Sequence, residues 1–182
     1  MPTESLLTPV EHAFILHWGQ MGERWGVNRT VAQVHALLYL RPEPMDADTI
    51  AETLSVARSN ISTSLKELRD WDLVKPVTVL GRRKEHFATD SDPWVLFMTV
   101  MDQRKKREID PTLKLLKELA EQSAKDKKES ATARQRIVAM SEMIQVMDAW
   151  YASARTLPRN ALEAFLRTGS GLAGMVMSLK KK

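Results

Sequence analysis

Residues 46–89 constrain the fold more tightly than any other part of the chain. Asp46 is a helix N-cap residue ahead of Ile50, Ala51 and Leu54, which a short helix turns inward. Ser55-Val56-Ala57 makes a tight turn. Ile61, Leu65 and Leu68 then recur at i, i+4 and i+7, the period of a helix with one buried face. Trp71-Asp72-Leu73-Val74 leads into β-prone residues up to Leu80, the chain turns at Gly81-Arg82-Arg83-Lys84, and Glu85-His86-Phe87-Ala88-Thr89 returns. Helix, turn, helix and hairpin in that order describe a helix-turn-helix with a wing.

The flanking sequence reads as helix. Seven glycines and eight prolines among 182 residues are too few for the turns of an all-β fold, and long stretches of Ala, Leu, Met, Glu, Lys and Arg favour helices. Thr8-Pro9-Val10-Glu11 is a capping box with proline at the first helical position, where its missing N–H costs nothing. Val10, Phe14, Trp18, Met21 and Trp25 follow as one apolar stripe, closed by Gly26 as a left-handed cap. A second helix from about Thr30 is expected to bury Val31, Val34, Leu37 and Leu38 and to stop before Pro42.

Beyond Pro93 a helix carries Trp94, Phe97, Met98 and Met101 into the basic run Arg104-Lys105-Lys106-Arg107. Asp110-Pro111 reads as the cap and start of another helix, with Leu113, Leu116 and Ala120 on one face. After a polar bend at 125–130, a helix from about residue 131 to residue 157, roughly 40 Å long, spaces Ile137, Met140, Ile144, Met147 and Tyr151 by threes and fours. Pro158 opens a last short helix, and Lys180-Lys181-Lys182 is a frayed tail. The expected fold is mainly α: a winged helix-turn-helix, three helices plus a small β-hairpin wing, with long dimerisation helices. Its divisions are an N-terminal dimerisation helix (1–29), the DNA-binding domain (30–92) and a C-terminal helical dimerisation and effector region (93–182).

The net charge of +4 is spread unevenly. Residues 58–84 hold seven basic and three acidic groups, whereas 46–57 hold three acids and no base. Such polarity, with a pI of about 9.4, suits a polyanion. With Ile61, Leu65 and Leu68 facing inward, the outward set of the second helix is Arg58, Ser59, Asn60, Ser62, Thr63 and Lys66. A B-DNA major groove admits one α-helix, and its base edges ask for such groups: Arg reads guanine, Asn reads adenine, Ser and Thr bond to bases or phosphates. Free backbone N–H groups at the helix N-terminus suit a phosphate. Arg82, Arg83 and Lys84 at the hairpin tip suit phosphates and a narrow minor groove. The plainer alternative is a solvated helix face, and the joint pattern of helix and wing outweighs it.

Residues from about 37 to 89 resemble the winged helix of MarR-type regulators. Three stretches are similar to the GbsR-like branch, which controls osmoprotectant (choline and glycine betaine) genes. They are Trp18-Gly19-Gln20-Met21-Gly22-Glu23-Arg24-Trp25-Gly26, the recognition segment 57–68, and Arg107-Glu108-Ile109-Asp110-Pro111. The resemblance covers roughly residues 10–120 and implies a homodimeric transcription factor in which each recognition helix and wing reads one half-site. Such families usually carry Ser where this chain has Ala57, a lost cap of about 1 kcal/mol unless Ser55 or Ser59 substitutes. The start of the recognition helix is therefore open by one turn.

Other chemistry is excluded or weakly signalled. Zero cysteines remove disulfides, thiol catalysis and thiolate metal sites. Gly169-Ser170-Gly171-Leu172-Ala173-Gly174 has the spacing of a dinucleotide loop but no room for the βαβ unit that loop needs, so it reads as a helix break or close contact. His12, His17, His35 and His86 show no metal-ligand spacing, and no nucleophile elbow or P-loop is present, so neither an enzyme nor a metal or cofactor is expected. A mean hydropathy of −0.31, no run of roughly 18 apolar residues and a start, Met1-Pro2-Thr3-Glu4, unlike a signal peptide point to a cytoplasmic protein without a membrane partner. Trp18, Trp25, Trp94, Phe97, Trp150 and Tyr151 are candidate ligand contacts, since aromatic faces attract the quaternary ammonium ligands that the resemblance implies. Core and interface filling is the plainer role for each. The expected partners are double-stranded DNA, a second copy of the chain and a small-molecule effector. The alternative is a winged-helix protein-interaction module without sequence-specific DNA contacts.

Overall fold

The computed structural model describes residues 7–125, 130–164 and 168. Residues 1–4, most of the polar bend (126–129), the Gly169–Gly174 segment and Lys180-Lys181-Lys182 lie outside them. Helix α1 (Pro9–Arg24) starts at the expected capping box: Thr8 Oγ1 accepts from Glu11 N–H, and the Glu11 carboxylate accepts from Thr8 N–H at 2.7 Å. It ends in a Schellman pair around left-handed Gly26 (φ +77°), with Val27 N–H donating to Gly22 O and Gly26 N–H to Glu23 O. Helix α2 (Arg29–Leu40) is capped by Asn28 and buries Val31, Val34, Leu37 and Leu38 as the sequence predicts.

The face that α1 turns to α2 is a correction. Ile15, Gly19 and Gly22 are buried there, while Val10, Trp18 and Trp25 of the expected stripe are 79%, 38% and 62% exposed. A Cβ placed on Gly22 would lie 2.6 Å from Ala32 Cβ, so the two helices meet nearly backbone to backbone. Bulky aromatics do not fit such an approach, and most of the stripe is left outward.

A two-residue strand β1 (Met45–Asp46), not anticipated from the sequence, leads into α3 (Ala47–Leu54). Asp46 caps α3 through the Asp48 and Thr49 N–H groups. Ser55, left-handed at φ 53°, closes it with another Schellman pair, Val56 N–H to Ala51 O and Ser55 N–H to Glu52 O. Helix α4 (Arg58–Asp70) follows, then strands β2 (Lys75–Val77) and β3 (His86–Ala88). The antiparallel sheet has the order β1-β3-β2, with Met45 and Pro76 flanking Phe87 on the central strand. Pro76 is tolerated because β2 is an edge strand. One core fills the motif: Val34, Leu37, Ile50, Ile61, Leu65, Leu68, Val74 and Phe87. Helix α5 (Pro93–Arg104) completes a compact unit, Met1–Arg104.

The second unit, Lys105–Lys182, opens with a π turn (Lys105–Ile109), followed by α6 (Asp110–Lys125) and α7 (Ala131–Arg155). Helix α6 starts at Asp110 as the sequence predicts, but Asp110 caps no free end, because residues 105–109 before it are already helical. Pro111 has no N–H to give the carbonyl four residues back, and a change of register just before it accommodates that loss. Lys105 joins the Asp110 carboxylate and, at 2.9 Å, that of Asp148. Helices α6 and α7 pack together, with Leu113 buried and Leu116, Ala120, Ile137, Ile144 and Tyr151 half-buried. Met140 and Met147 of the predicted stripe instead join Met143, Val146 and Trp150 on an exposed apolar band, each about half exposed or more. Residues 159–164 are helical after Pro158.

Candidate nucleic-acid interface

Helix α4 is built to show one face. Ile61 is fully buried, Leu65 and Leu68 are 3% exposed, and Ser64, which the periodicity did not single out, joins them. Arg58, Ser59, Asn60, Ser62, Thr63 and Lys66 are all exposed. The helix begins at Arg58 with Ala57 as N-cap and no side-chain cap, so neither Ser55 nor Ser59 replaces the missing serine. Its first N–H groups are left for solvent or a ligand. Ser62 and Thr63 hydroxyls donate back to the Arg58 and Ser59 carbonyls, at 3.1 Å each, and Ser62 Oγ also accepts from the Arg58 guanidinium.

Sequence reasoning missed the residue that joins helix and wing. The Asp48 carboxylate, in the first turn of α3, receives Arg58 Nε at 2.6 Å on one oxygen and Lys84 Nζ at 2.8 Å on the other. The Lys84 ammonium and then the Arg58 guanidinium hold the Asp48 carboxyl below its ordinary pKa, and Asp48 in turn raises that of Lys84. Beside it, burial tends to raise the Asp46 carboxyl, but bonds from Thr49 and Asp48 and the Lys84 charge keep it lowered. A second tie, Arg69 to Glu85 at 3.8 Å, joins the far end of α4 to the wing. The only signal in the sequence was an extra acid after a capping aspartate, which helix-dipole effects explain equally well.

The wing tip is open. Arg82 and Arg83 are exposed and, like Lys66 and Lys75, have no ion-pair partner among the described residues. Arg82 borders an open cleft lined also by Glu43, Asp46 and Thr49. The base of the wing is anchored by a part-buried chain: His35 Nε2 lies 3.2 Å from Thr89 Oγ1, and Thr89 donates to Leu73 O at 2.7 Å.

The aromatic candidates do not form one cage within the first unit. Trp94 and Phe97 meet edge to face at 6.1 Å, whereas Trp18 stacks on Phe14 at 5.4 Å and Trp25 is largely exposed. Trp150 and Tyr151 lie on α7 of the second unit, Trp150 exposed and Tyr151 half-buried. The basic run is divided in use. Arg104 lies over the Trp71 ring at 5.9 Å and donates to Trp25 O, while Lys105 pairs with Asp110 and Asp148. Among the described residues no group of three His, Asp or Glu is placed to hold a metal ion, and no helix is long and apolar enough to cross a membrane.

Three helices around an antiparallel ribbon, with an outward polar helix and a basic loop, define a winged helix-turn-helix. A solved transcriptional regulator has the same fold, with a TM-score of 0.62 over 87% of this chain and 99% of that one at 19% identity. In sequence the chain is similar to the HTH-type transcriptional repressor GbsR of Bacillus subtilis (strain 168), 28% identical over 94 residues, 52% of each chain. It is also similar to YvaV of the same organism, 22% identical over 96 residues, 53% of this chain and 54% of that one. The resemblance to the GbsR-like branch therefore stands. The chain spans about half the length of the curated relatives it matches. No protein-family model matches it.

Proposed function

We propose that the chain is a sequence-specific DNA-binding transcriptional regulator that works as a homodimer, without enzymatic activity, and represses its targets. The observation that carries this reading is the division of α4 into a buried apolar face and an outward face of Arg58, Asn60, Ser62, Thr63 and Lys66, beside the wing cations Arg82 and Arg83, which are unpaired among the described residues. Short polar groups of this kind suit base edges, and the wing arginines suit phosphates and the minor groove. In this reading residues 30–92 contact DNA, and 1–29 with 93–182 hold two copies together. The exposed stripe of α1 and the exposed band of α7 are the surfaces offered to the second copy. A small-molecule effector of the quaternary ammonium class enters through the resemblance, and choline or glycine betaine added to the binding assay tests it.

The decisive experiment is footprinting on the region upstream of the gene, followed by titration of a palindromic duplex over a salt series. Specific, salt-dependent protection is expected. Arg82→Ala with Arg83→Ala should weaken all duplex binding and flatten the log–log salt slope by about one unit per lost phosphate contact. Binding that is independent of salt and sequence would favour a protein-interaction module instead.

A further inference from the structure

Asp48 stands where it works against the proposed function. It is an acid on the reading surface, in the gap between the first turn of α4 and the base of the wing, and it occupies two cations that a duplex would use, Arg58 of the reading helix and Lys84 of the wing. Both bonds are short, at 2.6 and 2.8 Å, yet all three side chains are at least half exposed. Exposed pairs of this kind are weak and salt-screened, so a polyanion can displace them. Asp48 is not needed to cap α3, because Asp46 alone accepts the Asp48 and Thr49 N–H groups and the Thr49 hydroxyl. By contrast, the wing-tip cations Arg82 and Arg83 are unpaired among the described residues. The cations are thus divided: Arg82 and Arg83 at the tip and Lys66 on α4 have no ion-pair partner among the described residues, whereas Arg58 and Lys84, where α4 meets the wing, are held by a resident carboxylate.

We propose that Asp48 is an internal competitor for the DNA backbone, releasing Arg58 and Lys84 only to a duplex that also satisfies the base-reading face, and so suppressing binding to random sequence. The inference rests on the DNA-binding reading above. Its logic is exchange: a phosphate takes the cations and the freed carboxylate must be resolvated. A duplex that gains only phosphate contacts meets this cost with little return, while a cognate site adds base contacts that offset it.

The test uses the full chain and its Asp48→Asn variant, a near-isosteric change that leaves the Asp46 cap in place. Binding to a random-sequence duplex and to the footprinted site is followed over a salt series, with the melting curve as a check on folding. The variant should bind random DNA about tenfold tighter, with at least as large a gain at the cognate site, whose complex meets the same exchange cost in the parent. Its salt slope should be steeper by about one unit, because no freed carboxylate takes up a cation. A second variant, Asp48→Asn with Arg58→Gln, should lose most of that gain. If a folded Asp48→Asn protein binds random DNA no more tightly than the parent, Asp48 merely positions the cations and the proposal is overturned, with DNA binding itself intact. If the parent binds no duplex at all, both readings fall together.

Discussion

His35 gives the first unit a titratable weak point. The ring lies in α2 at 8% exposure, and burial pushes its pKa down from 6.5 to about 4. Thr89 has one hydroxyl proton and gives it to Leu73 O, so its oxygen accepts the Nε2 proton of a neutral ring. The folded chain therefore binds a proton at His35 more weakly than the unfolded chain does. That contribution is whole above the unfolded pKa and is lost as pH falls from about 6.5 through about 4. The gap corresponds to about 3 kcal/mol in total, of which about 2 kcal/mol is gone by about pH 5. Urea unfolding at about pH 7.5 and about pH 5 would measure it, comparing the parent with His35→Gln, whose amide remains neutral throughout. Both pH values lie above the lowered carboxyls of Glu11, Asp46 and Asp48, which stay ionised and drop out of the comparison. The parent should lose about 2 kcal/mol more than the variant over this interval. Equal losses would show that His35 is not a buried neutral group, and the argument for its place in the wing anchor would fail.

Two further contrasts test the packing and the reading face. Gly22→Ala should destabilise by about 1–3 kcal/mol, because its Cβ meets Ala32 Cβ at 2.6 Å, whereas the Cβ of Gly19→Ala meets Gln33 Cγ at 2.8 Å and Arg29 Cγ at 3.1 Å, on side chains that can turn aside, and should cost less, under about 1 kcal/mol. Urea melts with Ala32→Gly as the rescuing change decide this, and equal effects at both glycines would refute the close approach. Asn60→Ala should leave the melting temperature unchanged and cost about 1–3 kcal/mol of discrimination at the operator. Ile61→Asp should unfold the motif by burying an unpaired charge. Destabilisation by Asn60→Ala with tolerance of Ile61→Asp would mean that α4 faces the other way.

The motif was legible where periodicity and caps agree. Ile61, Leu65 and Leu68 spell out the buried side of α4, and Thr8, Asp46 and Gly26 mark helix ends by residue type alone. Other helix ends are silent because the residue there is not the usual one. Ser55 and Asp72 take the same left-handed cap position as Gly26, at φ 53° and 57°, and each accepts a steric cost that glycine avoids. At Asp72 a tertiary contact helps: buried Gln103 donates to its carboxylate at 2.6 Å. On α1 hydrophobic size is the wrong packing signal, because glycines set the contact with α2. Strand β1 is too short to carry a pattern, and it exists through pairing with β3. Asp48 was invisible for the same reason: its partners are 10 and 36 residues away, and only the fold brings them together.

The wing shows how little of its own structure it needs. Its two strands have three residues each, and a ribbon that short does not hold itself together in water. The fold supplies what the ribbon lacks from three directions. Strand β1 adds a third strand on one side and Phe87 sinks into the core, while the His35–Thr89–Leu73 chain pins the return strand. Asp48 and Arg69 then tie Lys84 and Glu85 to α3 and α4. Every one of these anchors begins on an element of the helix-turn-helix, so the wing is held in register with the helix that precedes it. Arg82 and Arg83, unpaired among the described residues, lie at the tip, beyond the last anchor. The arrangement fixes the base of the wing and leaves its contact groups free to find a phosphate, which is the division of labour that a reading helix with an adjustable neighbour requires.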